Sequence, residues 1–244
     1  MSLTWYNRTR ESVLFFVGDN TNLNPTIARN YCLWNDAGNV LHWVGFVGCA
    51  SHRLNLAVED LLASDEWKPL LNDVANIMYK IWSSSTLTAR LEAKTPLRAV
   101  KRNGTRWTSA FKMISRYVKL VPFFADPTDV ELHKLSLPTN TFPKVTSLLE
   151  MLTEINVVMI SLQSESVDLL DVRIAFDELI ARFGFMRDRL KPNSDNVDLD
   201  FRAFENGIVK VLQGDEANLL EKEKQALKNF EIAGKVRFCA WVDN

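Results

Sequence analysis

The chain has 244 residues, of which 47% are hydrophobic and 24% charged, and it carries 29 Lys and Arg against 30 Asp and Glu. This composition excludes a wholly disordered chain, and no apolar run approaches the roughly 20 residues that a membrane-spanning helix needs. The net charge of −1 conceals an uneven distribution, because residues 1–122 carry 15 basic and nine acidic residues whereas residues 123–244 carry 14 and 21.

The first quarter of the chain carries the clearest strand signals. Residues 12–17 form a short apolar run that leads to Asp19, and this predicts a buried strand with an aspartate at its C-terminal end. Asn24 followed by Pro25 predicts the start of a short helix, with Asn24 as its N-cap. Residues 40–48 predict a second strand, so we expect residues 1–53 to form a small α/β segment.

Helical periodicity dominates the remainder of the sequence. Apolar residues recur at intervals of three and four in the stretches 54–62, 67–82, 86–100, 108–121, 144–162, 166–183, 201–212 and 219–230. The predicted fold class is therefore an α/β opening followed by mostly α, with a helical domain over 54–233. Residues 234–244 are predicted to form a C-terminal strand or tail.

Basic residues concentrate in one segment, in which Glu92 is the single acid. The nine basic residues of 89–120 are Arg90, Lys94, Arg98, Lys101, Arg102, Arg106, Lys112, Arg116 and Lys119. The first three are spaced by four residues, which predicts that they share one face of a helix. Two interpretations are open: the segment binds phosphate backbones, or it faces the acidic half of the chain.

Trp107 lies among these cations and allows two interpretations. A tryptophan is most often part of the hydrophobic core. Alternatively, an exposed indole beside Arg102 and Arg106 provides a ring on which an unpaired base can stack.

Three further residues are candidates for chemistry. Asp19 at a strand end is placed to hold a divalent cation, although a turn or helix cap is the more ordinary role of such a residue. Cys49 and His52 lie three residues apart where the second strand is expected to become a helix. A zinc site needs about four ligands and the sequence has no second pair with suitable spacing, so a packed Cys and a hydrogen-bonding His are favoured. A Cys–His nucleophile pair lacks a third group to orient it.

The order of three motifs resembles the central part of hAT-superfamily transposases, in the form abundant in oomycete genomes. The motifs are Val-Gly-Asp-Asn-Thr-Asn at 17–22, Gly-Cys-Ala-Ser-His-Arg-Leu-Asn-Leu-Ala at 48–57 and Thr-Arg-Trp-Thr-Ser at 105–109. Segments 162–163, 169–177 and 204–212 are also similar to that lineage, so the resemblance covers roughly residues 12–230.

This resemblance implies an RNase H-like catalytic domain interrupted by a large helical insertion. In the family, three carboxylates hold two divalent ions, Mg²⁺ or Mn²⁺, that activate a water or a 3′-hydroxyl for attack on a DNA phosphate. Asp19 matches the second of these carboxylates, and Cys49 with His52 matches a Cys-x-x-His element. Trp107 matches an Arg-Trp element that helps to manage the DNA hairpin or flipped base at the transposon flank. The resemblance also implies a nuclear location.

The first and third carboxylates, the dimerisation segment and an N-terminal BED-type zinc finger have no match in the sequence. We therefore expect an internal transposase fragment, from a mobile or a domesticated gene, with a partial RNase H-like core. It is expected to bind DNA through residues 90–119 without cleaving it, and to hold no cofactor except a weak metal at Asp19.

The sequence leaves three alternatives open. They are a repurposed helical module for protein–protein interaction, a metal-dependent nuclease whose carboxylates are completed by another chain, and a truncated product without retained function. Uncovered sheet edges would also favour self-association. No membrane partner is expected, and the N-terminus lacks the apolar core of a secretion signal.

Overall fold

The structure is a computed structural model that describes residues 9–19, 21, 23–103, 106–194, 199–232 and 235–236. The opening strands are β1 (Phe15–Gly18), β2 (Leu33–Trp34), β3 (Val40–His42) and β4 (Gly45–Gly48), and helix α1 (Leu23–Tyr31) follows β1. The longer helices are α2 (Ala50–Ala63), α3 (Lys68–Ser83), α4 (Ser85–Glu92), α5 (Trp107–Phe124), α7 (Phe142–Ser161), α8 (Leu169–Arg182) and α10 (Leu199–Leu212). The shorter elements are α6 (Val130–His133), α9 (Arg187–Leu190), α11 (Glu221–Leu227), β5 (Glu231–Ile232) and β6 (Lys235–Val236). The described chain is thus mostly helical with a small strand region near its start, which confirms the coarse prediction.

The strands form three two-stranded sheets among the described residues. β1 pairs with β4 in parallel, β2 with β3 antiparallel, and β5 with β6 antiparallel. The prediction of one strand over 40–48 is wrong, because the chain changes partners between β3 and β4. Val44 lies between β3 and β4, and its backbone N–H donates to the Cys32 sulfur at 3.3 Å instead of to a neighbouring strand.

The C-terminal ends of α4 and α5 differ from the predicted ones. α4 ends at Glu92 rather than near residue 100, because Pro96 disfavours a helical conformation at the residue before it. α5 continues past its predicted end at Val121, through Pro122, to the fully buried Phe124. Pro122 lies in the last turn, where its missing N–H removes only one helical hydrogen bond.

The chain divides into two compact units. The first unit comprises residues 1–54 and 162–244, and helix α10 packs against β4, α8 and α11 within it. Its core includes Phe46 with Phe201, and Val47 with Phe204. A Cβ atom at Gly45 would lie 2.3 Å from the Phe204 ring, so this glycine allows α10 to approach the strand.

The second unit comprises residues 55–161, and α5 packs against α3, α6 and α7 within it. Its largest fully buried side chains are those of Trp107, Tyr117 and Phe124. The domain limits proposed from the sequence stay predictions. Within the predicted C-terminal strand, residues 235–236 form β6, whereas residues 234 and 237–244 lie outside the described residues.

None of the helices in the described ranges combines the length and the apolar composition needed to cross a membrane.

Candidate functional site

The parallel strands β1 and β4 bring two motifs to one edge of their sheet. Asp19 follows β1 and Cys49 follows β4, and parallel neighbours end at the same edge. The Cys49 N–H donates to the Gly18 carbonyl at 2.7 Å, and the Asn24 side-chain N–H donates to the Asp19 carbonyl at 2.9 Å. The predicted N-cap role of Asn24 is wrong, because α1 already begins at Leu23 and the amide binds back to the strand end.

His52 lies beside Asp19 at this edge. Its Nδ1 atom is 3.9 Å from Asp19 Oδ1, and the two side chains are 28% and 58% exposed. The sequence presents the aspartate and the Cys-x-x-His element as separate candidates and does not predict that they lie close together. The signal was present, since each motif directly follows one of two strands that could be parallel neighbours.

The residues at this edge do not fit a two-metal catalytic centre. Within the described ranges, no group of three or more His, Cys, Asp or Glu is arranged to hold a metal ion. His42 is engaged elsewhere: its Nε2 is 2.8 Å from the Val13 carbonyl and its Nδ1 is 3.2 Å from the Asn229 amide nitrogen. Asp19 and His52 are two polar side chains where the chemistry implied by the resemblance uses three carboxylates, and no metal-dependent step follows from these residues.

A carboxylate that sequence reasoning missed lies at the end of β4. Glu205 of α10 accepts hydrogen bonds from the Gly48 N–H at 3.0 Å and from Arg53 Nη1 at 3.3 Å. Burial raises the pKa of the Glu205 carboxyl, and the Arg53 charge only partly offsets this effect. The Arg53 guanidinium also lies 5.3 Å from the Phe176 ring. Glu205 is therefore committed to a buried ion pair, and its distance from Gly48 along the chain left no local signal.

Acids of the same unit neutralise part of the basic segment. Arg90 lies 3.4 Å from Asp129, and Lys94 lies 2.6 Å from Asp126. The Lys94 hydrogen bond, followed by those from Thr128, holds the pKa of the Asp126 carboxyl well below its ordinary value. Both acids belong to the acidic half of the chain, residues 123–244. Arg90 and Lys94 therefore fit the second interpretation, in which the basic segment faces that half.

Arg98 is also paired, at 2.8 Å from Glu92. The prediction that Arg90, Lys94 and Arg98 share a helix face is wrong, because α4 ends at Glu92 and leaves Lys94 and Arg98 outside the helix. Arg98 remains exposed, so its pairing with Glu92 is weak.

The other cations of the segment stay available to a ligand. Lys101, Arg102, Arg106, Lys112 and Lys119 are exposed, and none of them forms an ion pair with an acid in the part of the chain that the structure describes. On α5, Lys112, Arg116 and Lys119 follow a four-and-three spacing and so share one face. Arg116 Nη1 donates to the Arg98 carbonyl at 2.6 Å, which holds the segment after α4 beside this face.

Trp107 belongs to the hydrophobic core. Its side chain is 1% exposed, and its ring centroid is 6.1 Å from that of Phe111. A buried indole offers no ring face to a base that arrives from solvent. The candidate role of Trp107 in DNA contact is therefore corrected to a packing role, while Thr105 of the same motif lies outside the described residues.

Comparisons with known protein families, with curated proteins and with solved structures found no match to this chain.

Proposed function

We propose that this chain is a transposase-derived, catalytically incomplete protein that binds DNA through its basic segment 90–119. The observation that carries the proposal is the set of exposed cations that no described acid neutralises. We define the cationic surface as the exposed Lys101, Arg102, Arg106, Lys112 and Lys119 together with the half-buried Arg116. Lysine and arginine side chains of this kind neutralise DNA phosphates and release counterions, which drives sequence-independent binding. Arg90 and Lys94 contribute less, because Asp126 and Asp129 already compensate their charges.

Two features of the fold support the proposed descent from an RNase H-like transposase. Asp19 follows a strand whose neighbour is parallel, and the Cys49–His52 element begins at the same sheet edge. In addition, the helical unit 55–161 is inserted between the two chain segments that build the strand-bearing unit. That order agrees with a catalytic domain interrupted by a helical insertion. A nuclear location is part of the proposal and has its support in the family resemblance alone.

The proposal of incomplete catalysis has its support in the surroundings of Asp19. His52 is the titratable side chain that the structure places against it, and the Glu205 carboxyl is compensated by Arg53. The alternative is a nuclease whose carboxylates are completed by another chain. Nicking of plasmid DNA that depends on Mg²⁺ or Mn²⁺ and disappears in Asp19→Asn would favour that alternative.

A DNA titration tests the proposed function. We expect a triple variant, Arg102→Ala, Arg106→Ala and Lys112→Ala, to bind a labelled duplex more weakly than the wild-type chain in fluorescence anisotropy. The slope of log K against log salt should fall by roughly 0.9 for each phosphate contact removed. The measurement is made at two or more salt concentrations.

A matched control removes three other exposed lysines of the same unit: Lys68→Ala, Lys134→Ala and Lys144→Ala. This control lowers the net charge by the same amount outside the basic segment. Equal losses in the two triple variants would show that only total charge matters, and absence of binding by the wild-type chain at low salt would refute DNA binding.

Self-association is a second candidate function, favoured by the exposed apolar side chains of β1. Val17 is 63% exposed and Phe15 is 44% exposed on a strand with one described partner. Such strands template further pairing when nothing covers them. Sedimentation equilibrium would reveal a mass that increases with concentration, and Val17→Lys should abolish the increase if β1 forms the contact.

A further inference from the structure

Two aromatic side chains stand on the exposed face of α3, where the helix pattern predicts polar residues. Tyr79 is 57% and Trp82 is 53% exposed, and their ring centroids are 6.2 Å apart. The apolar stripe of α3 runs through Leu70, Val74 and Ile81 and packs into the core, whereas Tyr79 and Trp82 lie beside that stripe. Because the two exposed rings are adjacent, they form a contiguous apolar patch, which is the kind of surface that marks a binding site.

Lys101 contacts one ring of this aromatic pair, and the Arg98–Glu92 ion pair lies beside the same ring. The Lys101 ammonium lies 3.2 Å from the centroid of the Trp82 ring. Trp82 also forms one wall of a recess of about 270 Å³ that Leu97, Arg98 and its partner Glu92 line with it. The Arg98 carbonyl accepts a hydrogen bond from Arg116 of α5, so the recess adjoins the cationic surface defined above.

We infer that Tyr79, Trp82, Arg98 and Lys101, which we call the Trp82 surface, bind the unpaired bases of a single-stranded nucleic acid. This inference rests on the proposed DNA binding and adds the class of nucleic acid. A flat ring offers a stacking face to any base, and neighbouring cations hold the phosphates that join the bases. The Lys101 ammonium lies over one face of the Trp82 indole, so the base stacks on the opposite face and the ammonium meets an adjoining phosphate.

The charge of the surroundings distinguishes this ligand from an apolar protein segment. A hydrophobic partner would need to desolvate Lys101, which has no acid partner among the described residues, without providing an acceptor for it. A polynucleotide provides both a negative backbone and flat apolar rings. The mixture of rings and cations therefore fits single-stranded nucleic acid better than a helix or strand of another protein.

An anisotropy titration of the full chain with a labelled oligothymidylate of about 16 nucleotides tests the inference. We expect Trp82→Ala to weaken binding of the single strand roughly tenfold, which corresponds to the loss of one stacked base. Binding of a duplex should change less than twofold, because paired bases do not stack on a protein ring. Trp82→Phe retains a stacking ring and should bind the single strand more tightly than Trp82→Ala.

Trp34→Ala is the matched control, because Trp34 is also 53% exposed but belongs to the strand-bearing unit. It should leave single-strand affinity unchanged. A second measurement needs no variant: the wild-type chain should bind oligothymidylate more tightly than an abasic oligonucleotide of equal length and charge. Equal affinity for these two probes would overturn the inference.

The variants separate this inference from the proposed function. If Trp82→Ala keeps wild-type affinity for the single strand while the Arg102, Arg106 and Lys112 triple variant loses duplex binding, the Trp82 surface is refuted and DNA binding stands. If Trp82→Ala weakens single strand and duplex equally, the ring has no base-specific role and the inference also fails. If the wild-type chain binds neither probe at low salt, both proposals fail.

Discussion

Arg53 and Glu205 show how single residues connect distant parts of the first unit. Their side chains are 7% and 14% exposed, and Glu205 also accepts the N–H at the end of β4. The Nε atom of Arg53 is buried without a hydrogen-bond partner in the described structure, while its Nη2 donates to the Lys191 carbonyl at 3.4 Å. Such a pair stabilises little relative to apolar packing, but the loss of one partner leaves the other charge buried and uncompensated.

We therefore expect Glu205→Gln to lower the free energy of unfolding by about 3 kcal/mol, at the low end of the range for a broken buried ion pair. The amide oxygen can still accept the Gly48 N–H, so the loss reports chiefly on the charge of Arg53. Urea denaturation followed by circular dichroism measures the effect.

Glu221→Gln is the control for this prediction. Glu221 pairs with Lys224 at 2.8 Å, and both side chains are exposed. Exposed pairs contribute about 0.2–1 kcal/mol, so this variant should stay within about 1 kcal/mol of the wild type. Equal destabilisation by Glu221→Gln and Glu205→Gln would contradict the importance of burial.

At the scale of elements, the sequence predicted the type of most helices and strands, but not which strands pair. Periodicity places α3 and α10 to within two residues, because their apolar stripes repeat at helical spacing. The split of 40–48 into β3 and β4 depends on pairing partners that lie elsewhere in the chain, and no local pattern carries that information. The early end of α4 could have been predicted from the sequence, because Pro96 disfavours a helix at the residue before it. The exposure of Trp82 could also have been predicted, because this residue lies off the apolar stripe of α3.

The Asp126–Lys94 contact joins the end of α4 to the turn before α6. Because Asp126 is titratable, we expect this contact to make the free energy of unfolding depend on pH. Asp126 has a pKa below its ordinary value of 3.8, so its contribution to stability is present above that value. That contribution is lost as the pH falls through the lowered folded-state pKa, because Asp126 must take up a proton on unfolding. We expect Asp126→Asn to reduce the fall in stability between neutral and strongly acidic pH, measured by urea denaturation at a series of pH values.

Glu150→Gln is the control for this pH dependence. Glu150 is an exposed acid of α7 without an ion pair among the described residues, so its replacement should leave the fall in stability at acidic pH unchanged. If stability falls equally steeply at acidic pH in Asp126→Asn and in the wild type, the Lys94 contact does not contribute to the pH dependence.

At the scale of the whole molecule, two compact units divide the buried residues between them. The chain builds part of the strand-bearing unit, forms the helical unit 55–161, and then returns to complete the first. The exposed cations and the Trp82 surface belong to the helical unit, whereas Asp19, His52 and Glu205 belong to the strand-bearing unit. The residues of the proposed DNA contacts and those of the proposed catalytic edge therefore belong to units with separate cores.

Because each unit has its own core, we expect substitutions to promote local unfolding in the unit that contains them. Hydrogen exchange followed by mass spectrometry should show faster exchange of β4 and α10 in Glu205→Gln, with α5 and α7 unchanged. Phe124→Ala removes a fully buried side chain of the helical unit and should give the reverse pattern. Equal acceleration of both units by either substitution would mean that they unfold as one, and would contradict independent unfolding of the unit that carries the proposed DNA-binding surface.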